Sequence, residues 1–237
     1  MRLLILCLGL PLLAQQPAAS IFKDDPKTVM TLCADRARAI NPKDSRLLAE
    51  YGRAYLLGGQ RDKALAAFEA AVISDRKDGE THRLIACAWF SAGQPKEGFA
   101  ALKAMQEADP KARNVFKHAA INLLDHGYRD EAIALMDTSW RLDMKDYHNG
   151  KDFAFAALRN HQWDLAAQWM DRVHGLEPND WKDRLAFASE ALRLGQRDLG
   201  LLWLDRTVQA RPKEERMWNE LALLFAEMGN PAWAAHP

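Results

Sequence analysis

Cysteine is scarce, with three in 237 residues, so no dense disulfide framework holds this chain together. Neither charge is in excess, because 32 lysines and arginines face 32 aspartates and glutamates. Proteins that bind nucleic acid or anionic membrane surfaces usually carry a basic excess or stripe, and the balance argues against that class. The seven histidines (His82, His118, His126, His148, His161, His174 and His236) form no H-E-x-x-H or comparable ligand pair. A glycine-rich phosphate loop, a G-x-S-x-G elbow and a paired cysteine set are missing too. Nothing here marks a catalytic residue, a metal site or a cofactor site, and the chain is read as not an enzyme.

Long apolar runs are also lacking, except at the start: MRLLILCLGLPLLAQQPAAS. A single cation, Arg2, precedes apolar residues from Leu3 to Ala14, and small and polar residues follow. That is the order of a secretory signal peptide, in a run too short to span a bilayer as a helix. Residues 1–20 are therefore read as a removed leader, with cleavage after Ala14 or near Ala18–Ala19. Leu4-Ile5-Leu6-Cys7 has the outline of a lipoprotein box, but bulky Leu6 stands where a small residue is needed. Lipid anchoring at Cys7 is not expected. The mature chain is placed in the periplasm or outside the cell, where Cys33 and Cys87 would meet oxidising conditions.

What is present is repetition. GQRD occurs at Gly59–Asp62 and again at Gly195–Asp198, 136 residues apart, or four times 34. A 34-residue frame started at Ser45 restarts at Gly79, Arg113, Tyr147, Trp181 and Glu215. Position 8 then reads Gly52, Ala86, Ala120, Ala154, Ala188, Ala222, and position 20 reads Ala64, Gly98, Ala132, Ala166, Gly200, Ala234. Small residues at both places let two helices approach closely where they cross. Large apolar residues fill positions 7 (Tyr51, Ile85, Phe153, Phe187, Leu221) and 24 (Phe68, Leu102, Met136, Met170, Leu204), at helical spacing. Position 15 is glycine in five units of six, suited to ending the first helix at positive φ, and His161 is the exception. Asp62, Asp130, Asp164 and Asp198 fall in the first turn of the second helix, where the helix dipole favours a carboxylate.

A 34-residue helix-turn-helix unit of this pattern resembles the tetratricopeptide repeat (TPR). The resemblance implies an all-α, right-handed solenoid of antiparallel helix pairs. Five full units run over 45–78, 79–112, 113–146, 147–180 and 181–214, with a truncated sixth over 215–237. A lone capping helix from about Asp25 to Ile40 precedes them, and residues 21–237 are read as one continuous domain. Gly150 and Arg184 occupy the large apolar position 4 and His161 replaces the turn glycine, so the fourth unit is expected to pack loosely or bend the array. With a full helix pair between Cys33 and Cys87, no bridge between them is expected.

In this family the first helices line a concave groove, and partners bind there through positions 2, 5, 6, 9, 12 and 13. Carried over, position 5 reads Ala49, Arg83, Lys117, Lys151, Leu185, Asn219, with three cations in consecutive units. Position 9 reads Arg53, Cys87, Ile121, Phe155, Ser189, Leu223, and position 12 reads Leu56, Phe90, Leu124, Leu158, Leu192, Ala226. The resemblance thus implies a partner site at Arg53, Arg83, Cys87, Phe90, Lys117, Ile121, Leu124, Lys151, Phe155 and Leu158, an apolar strip beside a basic ladder. It would suit a protein or peptide carrying acidic and apolar residues. The bland reading stands beside it: Glu50, Glu80, Asp125 and Asp152 lie close enough to neutralise the ladder, and the leucines could serve packing. Trp169 and Trp203, both at position 23, are either a convex aromatic patch or packing between second helices. The functional expectation is an interaction scaffold of the cell envelope or secreted space. The alternative is a module that stacks with itself within a larger envelope, polysaccharide-export or pilus assembly.

Overall fold

The computed structural model describes residues 25–229. Among them run twelve α-helices and no strand. They are α1 (Pro26–Ile40), α2 (Ser45–Leu57), α3 (Arg61–Ser74), α4 (Gly79–Ser91), α5 (Pro95–Ala108), α6 (Arg113–Asp125), α7 (Arg129–Leu142), α8 (Tyr147–Arg159), α9 (Trp163–Leu176), α10 (Trp181–Arg193), α11 (Arg197–Ala210) and α12 (Glu215–Met228). Each first helix begins where the 34-residue frame begins, and each described second helix occupies positions 17 to 30. This is an all-α array of helix pairs repeating every 34 residues, the architecture that the resemblance to the tetratricopeptide repeat implies, with α1 as a lone helix ahead of the first pair. The helices fall into two compact units, one ending at Ala108 and the other starting at Asp109. The leader segment 1–20 and residues Pro231 and Ala234 of the sixth repeat lie outside the described residues.

The helix ends follow from local chemistry. Aspartates one residue ahead of the first helices accept from their exposed N–H groups: Asp44 from Leu47, Asp78 from Glu80, Asp146 from His148, and Asp180 from Lys182. Asp25 does the same for α1 through Lys27 and Thr28. At the other end, Gly59, Gly93, Gly127 and Gly195 take φ between 68° and 83°. The next residue then donates its N–H back to position 11, as Gln60 to Tyr55 and Gln196 to Ala191, which closes a Schellman turn. His161 adopts φ 57° in the same slot, so the fold imposes the left-handed conformation even without glycine. Gly229 departs from the set, with φ −73°.

The small residues do what their spacing implies. In the unit ending at Ala108, a Cβ on Gly52 would lie 2.3 Å from Cε1 of Phe68, and one on Gly98 would lie 2.8 Å from Phe90. Phe68 in turn meets Trp89 at 5.4 Å between rings, within a core that also holds Leu48, Tyr55, Ala67 and Ile85. Cys87 is buried on α4 and Cys33 exposed on α1, and the two are unbonded. In the unit starting at Asp109, Gly200 leaves room for Leu192, while Ala120, Ala154 and Ala188 are fully buried at the crossings.

Trp169 and Trp203 form no convex patch, because both are fully buried. Trp169 stands edge-on to Trp140 and Phe153, and Trp203 packs against Phe187. Arg172 and Arg206 lie over the two indoles at 4.3 and 4.7 Å and pair with Asp137 and Asp171 of the preceding second helix. Such cation–π stacking, partly desolvated, adds about 1 kcal/mol to each contact.

The expected loosening of the fourth repeat does not occur at Gly150. The space that a large residue would take is filled by Trp140 from the preceding repeat, whose ring atoms would lie 2.6 Å from a Cβ there, and by Val173. Arg184 is also accommodated, by hydrogen bonds rather than volume. It is 1% exposed, and its guanidinium donates to the carbonyls of Glu177, Pro178 and Arg206. Position 4 repeatedly reaches the carbonyl at position 32 of the preceding repeat. Trp218 donates its indole N–H to Pro212 at 2.8 Å, and the Nε2 of His82 lies 3.2 Å from the oxygen of Arg76.

Candidate functional site

The position-5 cations are largely spent inside the protein. Arg83 binds Glu80 of its own helix at 2.6 Å. Lys117 reaches Asp152 at 2.7 Å, which joins α6 to α8, and only 11% of its side chain stays exposed. Lys151 reaches Asp183 at 3.0 Å, which joins α8 to α10. Burial works against the charge on Lys151, but the bond to Asp183 and that carboxylate's charge outweigh it and hold the pKa above that of an ordinary lysine. The two lysine pairs tie successive first helices together. They leave little of the ladder for a ligand.

The apolar positions divide by depth. Cys87, Phe90, Leu124 and Leu158 are buried, Phe90 against Phe99 and over Gly98. Position 12 is therefore a packing position wherever the second helix covers it, in keeping with the contact between Leu192 and Gly200. Ile121 and Phe155 are half-buried, and Arg53 is partly exposed, 3.9 Å from Glu50. Of the ten candidate residues, Arg53, Arg83, Cys87 and Phe90 belong to the unit ending at Ala108 and the other six to the unit starting at Asp109.

An open groove is found further along the second of these units. Its volume is about 530 Å³, and it is lined by residues of α8, α10 and α12. Phe155, Leu185, Leu223 and Leu224 form its apolar surface, with Ala186 and Ser189 between them. Phe155 is held edge-on to Phe187 at 5.7 Å, so the floor is anchored in the core. Leu223 is 58% exposed, although it is a large apolar side chain on a well-formed helix. The size is that of a ligand-binding cleft rather than of a packing defect.

Charged residues rim this groove. Arg159 stands at the end of α8, Lys182, Glu190 and Arg193 on α10, and Glu220 and Glu227 on α12. Arg193 lies 3.9 Å from Glu190 and 3.7 Å from Glu227, long distances between exposed groups that contribute little to stability. Lys182 sits over the ring of Trp181 at 5.8 Å. Arg159 and Glu220 make no ion pair among the described residues. Among the named candidates, only Phe155 lines this groove. The remaining lining residues stand at positions 2, 5, 6, 9, 10 and 13 of the frame. A ladder of cations at position 5 does not mark them, because their charged members stand at positions 2, 6, 10 and 13 and carry both signs.

No group of three or more histidines, cysteines, aspartates and glutamates among the described residues is arranged to hold a metal ion. No described helix is long and apolar enough to cross a membrane.

No protein-family model matches the sequence, and no curated protein does. Solved structures similar to the chain include YrrB, a TPR protein with an unusual peptide-binding site, at 14% identity over 81% of this chain and 99% of that one, with a TM-score of 0.39. MamA is similar at 13% identity over 73% of this chain and 94% of that one, with a TM-score of 0.43. A thermophilic TPR protein of Thermus thermophilus is similar at 18% identity over 77% of this chain and 99% of that one, with a TM-score of 0.40. At these identities the likeness concerns fold alone.

Proposed function

We propose that the chain is a non-catalytic interaction scaffold that holds a peptide or a segment of a partner protein in the groove between α8, α10 and α12. The observation that carries this reading is Leu223. A leucine left 58% exposed in the lining of a groove of about 530 Å³, together with Phe155 and Leu185, is apolar surface that a partner would bury. The leader-like composition of residues 1–20 supports a location in the cell envelope or the secreted space. Affinity capture from an envelope fraction tests the reading, with the native chain as bait beside Leu223→Asp and a ladder variant carrying Lys117→Glu and Lys151→Glu. Partners lost with Leu223→Asp and retained by the ladder variant support the groove. Partner sets unchanged by Leu223→Asp overturn it.

A second reading, self-stacking, is favoured by one observation. On α12, Trp218 and Phe225 are 48% and 51% exposed, at positions that are buried in the other described first helices where they are apolar and large. Sedimentation of the native chain against Phe225→Ser separates the two readings, since self-association that depends on Phe225 supports stacking.

A further inference from the structure

The rim of the groove has a direction. From α8 comes only a cation, Arg159, and from α12 come only acids, Glu220 and Glu227. On α10, between them, Arg193 and Glu190 offset each other, and Arg193 also lies 3.7 Å from Glu227 of α12. Lys182 adds a cation whose nearest aromatic neighbour is Trp181, and no acid pairs with it among the described residues. The rim charges without an ion pair among the described residues are thus Arg159 and Lys182 on α8 and α10 and Glu220 on α12, with Glu227 adding to the acid of α12 through a long contact to Arg193. A uniformly acidic segment would satisfy Arg159 and Lys182 but face Glu220 and Glu227. A uniformly basic one would meet the reverse.

We infer that the occupant of this groove is a bipolar peptide segment: apolar residues at its centre, with aspartate or glutamate on the flank facing Arg159 and lysine or arginine on the flank facing Glu220. This rests on the groove being the binding site, and it specifies the partner's chemistry. The physical ground is complementarity of potential, which steers encounter and excludes wrong partners more than it adds affinity. The apolar centre carries the affinity and the flanks carry the choice.

The test uses four synthetic peptides that share one leucine-rich centre and differ in their flanks: acid with base, acid with acid, base with base, and serine with serine. Binding to the full chain is read by fluorescence anisotropy at low salt. The acid-with-base peptide is expected to bind tightest, by about three- to fivefold over either like-charged peptide, the size that exposed charge pairs give. Glu220→Lys combined with Glu227→Lys should shift the preference to the acid-with-acid peptide, and added salt should shrink every difference. Circular dichroism of the variants confirms that they fold. Equal binding of all four peptides, abolished by Leu223→Asp, overturns the bipolar preference while the groove stands. Binding of none overturns the groove and the inference with it.

Discussion

Gly52→Ala sets two opposing effects against each other at one helix crossing. In the interior of an exposed helix, alanine is favoured over glycine by about 1 kcal/mol. Here the added Cβ would lie 2.3 Å from Cε1 and 2.5 Å from Cδ1 of Phe68, distances that no real Cβ contact sustains. Phe68 cannot easily yield, since it is 5% exposed and its ring rests on Trp89. Overpacking of this kind costs about 1–3 kcal/mol. The expected outcome is a net loss of up to about 2 kcal/mol, with the clash outweighing the propensity gain. Phe68→Leu alone should also destabilise, by vacating ring volume, yet the double variant should be less damaged than the two losses predict. A favourable coupling of about 1 kcal/mol or more is expected for residues in such contact. Urea unfolding followed by circular dichroism supplies the numbers, provided the slope with denaturant is unchanged. If Gly52→Ala raised the midpoint by itself and showed no coupling to Phe68, position 8 would not be a helix crossing and the 34-residue frame would be misplaced.

His161→Gly should raise stability by up to about 1 kcal/mol in thermal melts, because glycine relieves the left-handed strain at φ 57°, whereas His161→Val should lower it. The folded state depresses the pKa of His174, through burial first and then the nearby charges of Arg184 and Arg206. Its contribution is therefore present above about pH 6.5 and lost as pH falls toward the folded value, and His174→Phe should flatten the urea midpoint between about pH 7 and 5. Trp203→Ala should cost about 3–5 kcal/mol, as expected for a fully buried large side chain, and Trp218→Ala only about 1, mostly its bond to Pro212. Unfolding followed by circular dichroism measures both, and equal costs would contradict the burial difference.

The helix frame was legible because it rests on short-range rules. Glycine at 15 and acids at the second helix's start each specify backbone geometry within a few residues, small residues at 8 and 20 mark where two helices joined by a short turn cross, and the helices start where the frame does. Two departures misled for one reason. Gly150 and Arg184 read as defects along the chain, but Trp140 fills the first and backbone carbonyls accept from Nη1 and Nη2 of the second, and both remedies come from another helix or loop. The site was less legible still. Whether Lys117 offers its charge to a ligand depends on Asp152, 35 residues on, and the frame assigns a position without assigning a partner. Arg159, Glu220 and Leu223 differ in type, so no recurring letter marks them, and only the open space beside them shows that they belong together.

The pairing of Trp140 with Gly150 makes the repeats unequal as building blocks. The tryptophan belongs to the third repeat and the hole it fills to the fourth, so each is a liability without the other. A fourth repeat placed behind any other would keep its hole, and a third placed ahead of any other would drive an indole into an occupied slot. Natural shuffling or laboratory grafting would thus have to move the two as a block. The boundary between them, which the 34-residue period presents as one seam among several, is the one least free to be cut.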